Sequence, residues 1–121
     1  MKRQVILILI VGTFLFTGCK KENTSQTSFW FKKSTSEAMI NLNGATEVTV
    51  FVNEVSVGTI AASDWKTGPN CNGANFTIVN NLGKETNKKF NYIVRDQLGD
   101  DRFSGSYTAF KDECLSIELL P

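Results

Sequence analysis

Histidine is absent from this 121-residue chain. With it go the commonest general base, the Ser-His and Cys-His dyads, and the most frequent zinc ligand. There is no glycine loop of the phosphate-binding type, because the glycines fall singly at turn-like positions. No internal repeat or low-complexity block occurs. An excess of basic charge is missing as well: 13 Lys and Arg stand against 12 Asp and Glu, which excludes the electrostatic footprint of nucleic-acid binding. An enzyme made from this chain would have to work with carboxylates or a lysine. No catalytic residue, metal site or cofactor is expected.

Apolar runs are short everywhere except near the start. Lys2 and Arg3 precede an unbroken apolar stretch over 5–11 that continues through Phe14, Leu15 and Phe16. A basic beginning followed by about a dozen apolar residues is the layout of a secretory signal. The stretch is too short to cross a bilayer as a helix, which takes roughly 20 apolar residues. The run Phe16-Thr17-Gly18-Cys19 that follows it resembles the lipobox of bacterial lipoproteins, in which a bulky apolar residue and two small ones precede an obligatory cysteine. That resemblance implies removal of residues 1–18, a diacylglycerol on the Cys19 sulfur and acylation of the new α-amine. Two or more acyl chains anchor a protein stably where one is marginal. The next residue is Lys20, where an inner-membrane retention signal would place aspartate. By the same resemblance the address is a bacterial outer membrane, with both the periplasmic and the surface face open, and the first partner is the membrane itself.

Once Cys19 is assigned to lipid, Cys71 and Cys114 form an even pair. In an exported protein such a pair most simply makes one disulfide. Closing a loop of that length contributes about 4 kcal/mol in the chain-entropy description. Residues 19–28 are polar, with nothing to bury, and read as the lipidated cysteine and a flexible tether. The domain is expected over 29–121, a size suited to a single small unit.

The body reads as short β-type runs separated by Gly, Asn and Asp, with no convincing helical period. Val48, Val50 and Val52 fall on one face of the clearest run, with Glu47, Thr49 and Phe51 on the other. Asn53-Glu54 comes where a hairpin turn is due. Asn suits a left-handed first turn position and Glu is poor at the second, so a longer or bulged turn is an alternative. Further strands are expected at 29–32, 55–60, 76–79, 90–96, 102–110 and 115–120. Seven or so strands at this spacing predict an all-β fold, a small antiparallel β-sandwich, with a closed barrel as the second choice. Val48, Val50, Val52, Phe76, Ile78, Phe90, Tyr92, Val94, Leu115, Ile117 and Leu119 are the expected core. The long loop 61–75 carries Cys71.

The Val48–Val52 alternation around Phe51, closed by Val57-Gly58-Thr59, resembles the hairpin of PEGA-like modules, with Asn53-Glu54 standing where those carry Asp-Gly. Phe90, Tyr92 and Val94 ahead of Gly99 are similar to their later strand. Together with an aromatic first strand and a final Cys114-x-x-Ile117-x-Leu119, the pattern resembles small bacterial envelope lipoproteins with Ig-like or PEGA-like sandwiches. It implies a binding or structural role and supplies no catalytic residue.

Two groups of side chains are candidates for chemistry. Asp96, Asp100 and Asp101 could offer oxygens to Ca²⁺, or they could be ordinary turn residues. Trp30 and Trp65 are the possible ligand contacts: exposed, they would stack on a sugar or anchor a protein; buried, they are packing. Phe29, Phe31, Phe51 and Phe110 extend the aromatic set to both faces of some strands. The expected function is therefore a membrane-anchored, non-catalytic binding module for an envelope protein or a glycan. Alternatives are a structural or accessory subunit of a surface assembly, marked by an open edge strand, and a small hydrolase or hydrolase inhibitor.

Overall fold

The structure, a computed structural model, describes residues 21–72 and 76–120; the expected signal segment 1–18 and the expected lipidation site, Cys19, lie outside the described residues. It contains β1 (Asn23–Trp30), α1 (Lys33–Asn43), β2 (Glu47–Val52), β3 (Val55–Ala61), β4 (Phe76–Gly83), β5 (Asn87–Asp96), β6 (Asp101–Phe110) and β7 (Cys114–Glu118). Two sheets face each other, one in the order β4-β1-β7 and one in the order β3-β2-β5-β6. The fold is thus the small seven-stranded β-sandwich that the strand spacing predicts.

Alternation builds the core. Val48, Val50 and Val52 of β2 and Phe90 and Val94 of β5 point inward, against Phe29 and Phe31 at the end of the first strand and against Leu82 and Leu119. Phe76, Ile78, Tyr92, Leu115 and Ile117 are half-buried and pack around this centre. Burying each such large side chain contributes about 1.5–3 kcal/mol. An aromatic cluster fills the lower half: Phe29 meets Tyr92 and Tyr107 edge-on at 5.4 and 6.0 Å, and Phe90 stacks on Tyr107 at 5.4 Å.

Three features depart from the sequence reading. First, β1 begins at Asn23, so residues 23–28 are strand and not tether. Their polar character misled: Ser25 and Thr27 face inward and are satisfied there by the Asn80 amide, at 3.1 and 2.7 Å. Second, β1 runs parallel to β7 while antiparallel to β4, so the smaller sheet is mixed. Third, Lys33–Asn43 is a helix that lacks a side-chain N-cap and buries only one large apolar residue, Met39. Its end is well defined, because Gly44 adopts φ 69° and the N–H groups of Gly44 and Ala45 close on the carbonyls of Ile40 and Met39.

The β2–β3 connection is the hairpin turn expected at Asn53-Glu54, and it is a tight two-residue one despite the glutamate. Asn53 and Glu54 take φ 49° and 71°, both left-handed, and Val52 pairs with Val55. This is the type I′ geometry that matches strand twist. The irregularity sits further along, where Val50 pairs with Gly58 and Phe51 with Ser56, leaving Val57 as the extra residue of a bulge. Gly58, at φ 152°, lies under the Phe76 ring, in space that a Cβ would occupy.

Candidate functional site

The outer face of the four-stranded sheet carries an aromatic groove with the make-up of a ligand site. β2 points Phe51 outward because its valines point in, and Phe51 pairs with Ile93 of β5. Two residues along β5 in either direction, Asn91 and Arg95 share that face. The hairpin tip closes one side: the Asn53 N–H donates to the Asn91 carbonyl at 2.8 Å, and the Asn53 side-chain oxygen accepts the Asn91 N–H at 2.9 Å. The result is a groove of about 430 Å³ lined by Phe51, Asn53, Glu54, Asn91 and Ile93. The Arg95 guanidinium lies 5.0 Å from the Phe51 ring centre, and its Nε donates to Asp101 at 2.6 Å. An apolar floor ringed by amides, a carboxylate and a held guanidinium can stack on a flat apolar surface while hydrogen-bonding at its edges.

The tryptophans lie elsewhere. Trp30 is on the outer side of β1 yet only 7% exposed. The loop that follows β3 accounts for this burial, since its hydrogen bonds to Phe31, Ser116 and Thr77 place it over the outer face of the smaller sheet. Three hydrogen bonds hold that loop down: Lys66 N–H to Phe31 O at 2.9 Å, Ser116 Oγ to Pro69 O at 2.9 Å and Thr77 Oγ1 to Cys71 O at 2.7 Å. Trp65, in the same loop, is 40% exposed, with the Lys33 ammonium 5.9 Å from its ring. One tryptophan is therefore packing and the other is at the surface, and neither lines the Phe51 groove.

Cys71 and Cys114 are joined in a disulfide, with Cα atoms 6.0 Å apart. Cys114 opens β7 on its outward side, so the bond fastens the covering loop to the sheet beneath it.

The acidic cluster is resolved into ion pairs. Asp96 accepts hydrogen bonds from the N–H groups of Leu98 and Asp100 and from Arg102 Nε; Arg102 also reaches Asp100 at 3.2 Å, and Asp101 takes Arg95. Burial pushes the Asp96 carboxyl up, but the Arg102 hydrogen bond, the backbone donors and the Arg102 charge together hold it below the ordinary carboxylate value. Among the described residues no group of three or more side chains of metal-ligating type is assembled. The three aspartates therefore act as turn and pairing residues.

Inside the sandwich, Tyr107 donates its hydroxyl to Asn80 Oδ1 at 2.8 Å, completing a network with Ser25 and Thr27 that joins the two sheets. Burial pushes the Tyr107 hydroxyl up to about 12, with the Thr27 hydroxyl offsetting part of the rise.

Of this groove the sequence reading singles out Phe51 alone. The signal for the rest was present in the period-two run Asn91-Tyr92-Ile93-Val94-Arg95, whose odd-numbered members had to face away from the core once Tyr92 and Val94 faced in. Comparison with protein families, with curated proteins and with solved structures finds no match for this chain.

Proposed function

We propose that this protein is a bacterial envelope lipoprotein, anchored through lipid on Cys19, whose sandwich is a non-catalytic module that binds a protein or glycan partner through the Phe51 groove. The observation that carries this reading is the outward aromatic floor of Phe51 and Ile93, with Asn53, Asn91 and Glu54 around it. Phe51 and Ile93 support each other as a cross-strand pair, and with the polar groups at their edge they form the kind of concave apolar patch that ligands use. The lack of histidine and the engagement of Asp96, Asp100 and Asp101 with arginines support a role without catalysis.

The test is isolation of the mature protein from its own membrane beside a Phe51→Ala variant. A partner held in stoichiometric amount by the wild type and lost by the variant supports the reading; a partner retained equally by both sinks the groove as its site. The anchor has a separate test, since Cys19→Ser should abolish membrane partitioning and change the mature mass.

A second reading, a subunit added to an assembly by strand pairing, is favoured by one observation. The edge strands β3 and β4 contain no charged residue, and Val79 in the middle of β4 is 67% exposed. Edges are ordinarily blunted by charge, above all by lysine. A Val79→Lys variant that stays folded but loses self-association or a partner would move the assignment to this edge.

A further inference from the structure

We infer that the end of the sandwich formed by the start of β1, the β4–β5 turn and the β6–β7 turn rests on the bilayer surface, with Phe110 set among the headgroups. This rests on the lipid reading of Cys19 and deepens it.

The first reason is reach. β1 begins at Asn23, so only Lys20, Lys21 and Glu22 separate the cysteine from the first strand. Four Cα steps span at most about 14 Å even fully extended. A longer polar tether would leave orientation free, whereas this one brings a particular end of the domain to the membrane. Which end is fixed by register: Asn23 pairs with Gly83, Asn87 with Phe110, and the Asp112 N–H donates to Thr24 O. The close of β4, the start of β5 and the close of β6 therefore all gather beside Asn23.

The second reason is the chemistry found there. Phe110 is the last residue of β6, on the outward side, and is 47% exposed; an exposed ring at a strand end has no role in the core. Around it Lys84, Lys88, Lys89 and Lys111 are all exposed, and Lys20 and Lys21 lead into the same end. They outnumber the acids of that end, Glu22, Glu85, Asp112 and Glu113. Lysine attracted to anionic phosphates and an aromatic ring at headgroup level are the two devices by which protein surfaces sit at a membrane interface. The opposite end, by contrast, holds the paired aspartates and arginines.

The experiment uses the mature lipidated protein in vesicles of phosphatidylethanolamine and phosphatidylglycerol, some acyl chains carrying bromine as a contact quencher. The native tryptophans are the internal control. Trp30 closes β1 about 23 Å from Asn23, and Trp65 is in the loop beside it, so wild-type emission should be unaffected by bromine. A Phe110→Trp variant should add emission that bromine quenches, and Thr108→Trp, one pleat higher on the same strand face, should be quenched less. Added emission from Phe110→Trp that is insensitive to bromine, in protein whose mass shows the diacylglycerol, overturns this placement alone. Quenching of the wild type to the same degree overturns it too, by putting the other end down. A mature terminus without diacylglycerol overturns the anchor and this inference with it.

Discussion

Arg102 Nε donates to Asp96 Oδ2 at 2.8 Å, tying the second residue of β6 to the last residue of β5. The Asp96 carboxylate is fully enclosed, and its other oxygen gathers the Leu98 and Asp100 N–H groups, so one side chain defines the whole connection. A carboxyl lowered by folding contributes stability that is present above its unfolded pKa, about 3.9, and is lost as pH falls through the folded value. The urea midpoint should therefore hold down to about pH 4 and then drop. Asp96→Asn should be less stable at neutral pH and show a shallower acid limb. Parallel limbs in the two proteins would mean that other carboxylates set the acid response.

Tyr107 gives the complementary prediction at high pH. Its hydroxyl is pushed up to about 12 by burial, so its neutral form is favoured in the folded state. The associated stability is complete below the unfolded value of about 10 and is lost as pH rises toward the folded one. Tyr92, raised in the same direction by burial, adds to this. Denaturant titration between these limits should show the loss, and Tyr107→Phe should reduce it. At neutral pH, Asn80→Leu removes the amide that bonds the Tyr107, Ser25 and Thr27 hydroxyls and should cost about 1–3 kcal/mol.

The disulfide should be readable through a tryptophan it does not touch. Trp30 lies beneath the loop that Cys71 fastens, and its indole N–H has no hydrogen-bond acceptor there among the described residues. Replacing both cysteines by serine should lower stability by about 2–4 kcal/mol and shift tryptophan emission to the red under conditions where the sandwich, followed by circular dichroism, is still folded. Unchanged emission would show that the three hydrogen bonds hold the cover without the bond.

Gly58→Ala should destabilise by about 1–3 kcal/mol, because φ 152° disfavours a side chain and the Phe76 ring occupies the space. Gly99→Ala is the control. Its φ of 87° is also strained, but nothing lies within 4 Å of an added Cβ, so thermal unfolding should show the smaller loss.

Much of the sandwich is legible in the sequence because its inner face is written in period two. Val48, Val50, Val52, Phe90, Val94 and Leu119 are found where alternation puts them. What escapes does so for physical reasons. Ser25 and Thr27 look like tether because their partner, Asn80, is far away in sequence. The helix hides because it packs through Thr35, Ser36 and Met39, leaving Ile40 and Leu42 outside. The parallel pairing of β1 with β7 leaves no local trace at all. Phe51 is recognisable as an outward aromatic from its own strand, but the groove around it depends on which strand lies alongside β2, and pairing order is not a property of any one segment.

That parallel pairing has a consequence in time. β1 is the central strand of its sheet, and both of its neighbours, β4 and β7, come from far along the chain: Gln26 finds Val79 on one side and Cys114 on the other. Non-local pairing is slow, since loop closure precedes any reward. The first strand must then wait with one edge unpaired until β7, the last strand of the chain, is available to cover it. The order in which this sheet can close is set by its topology.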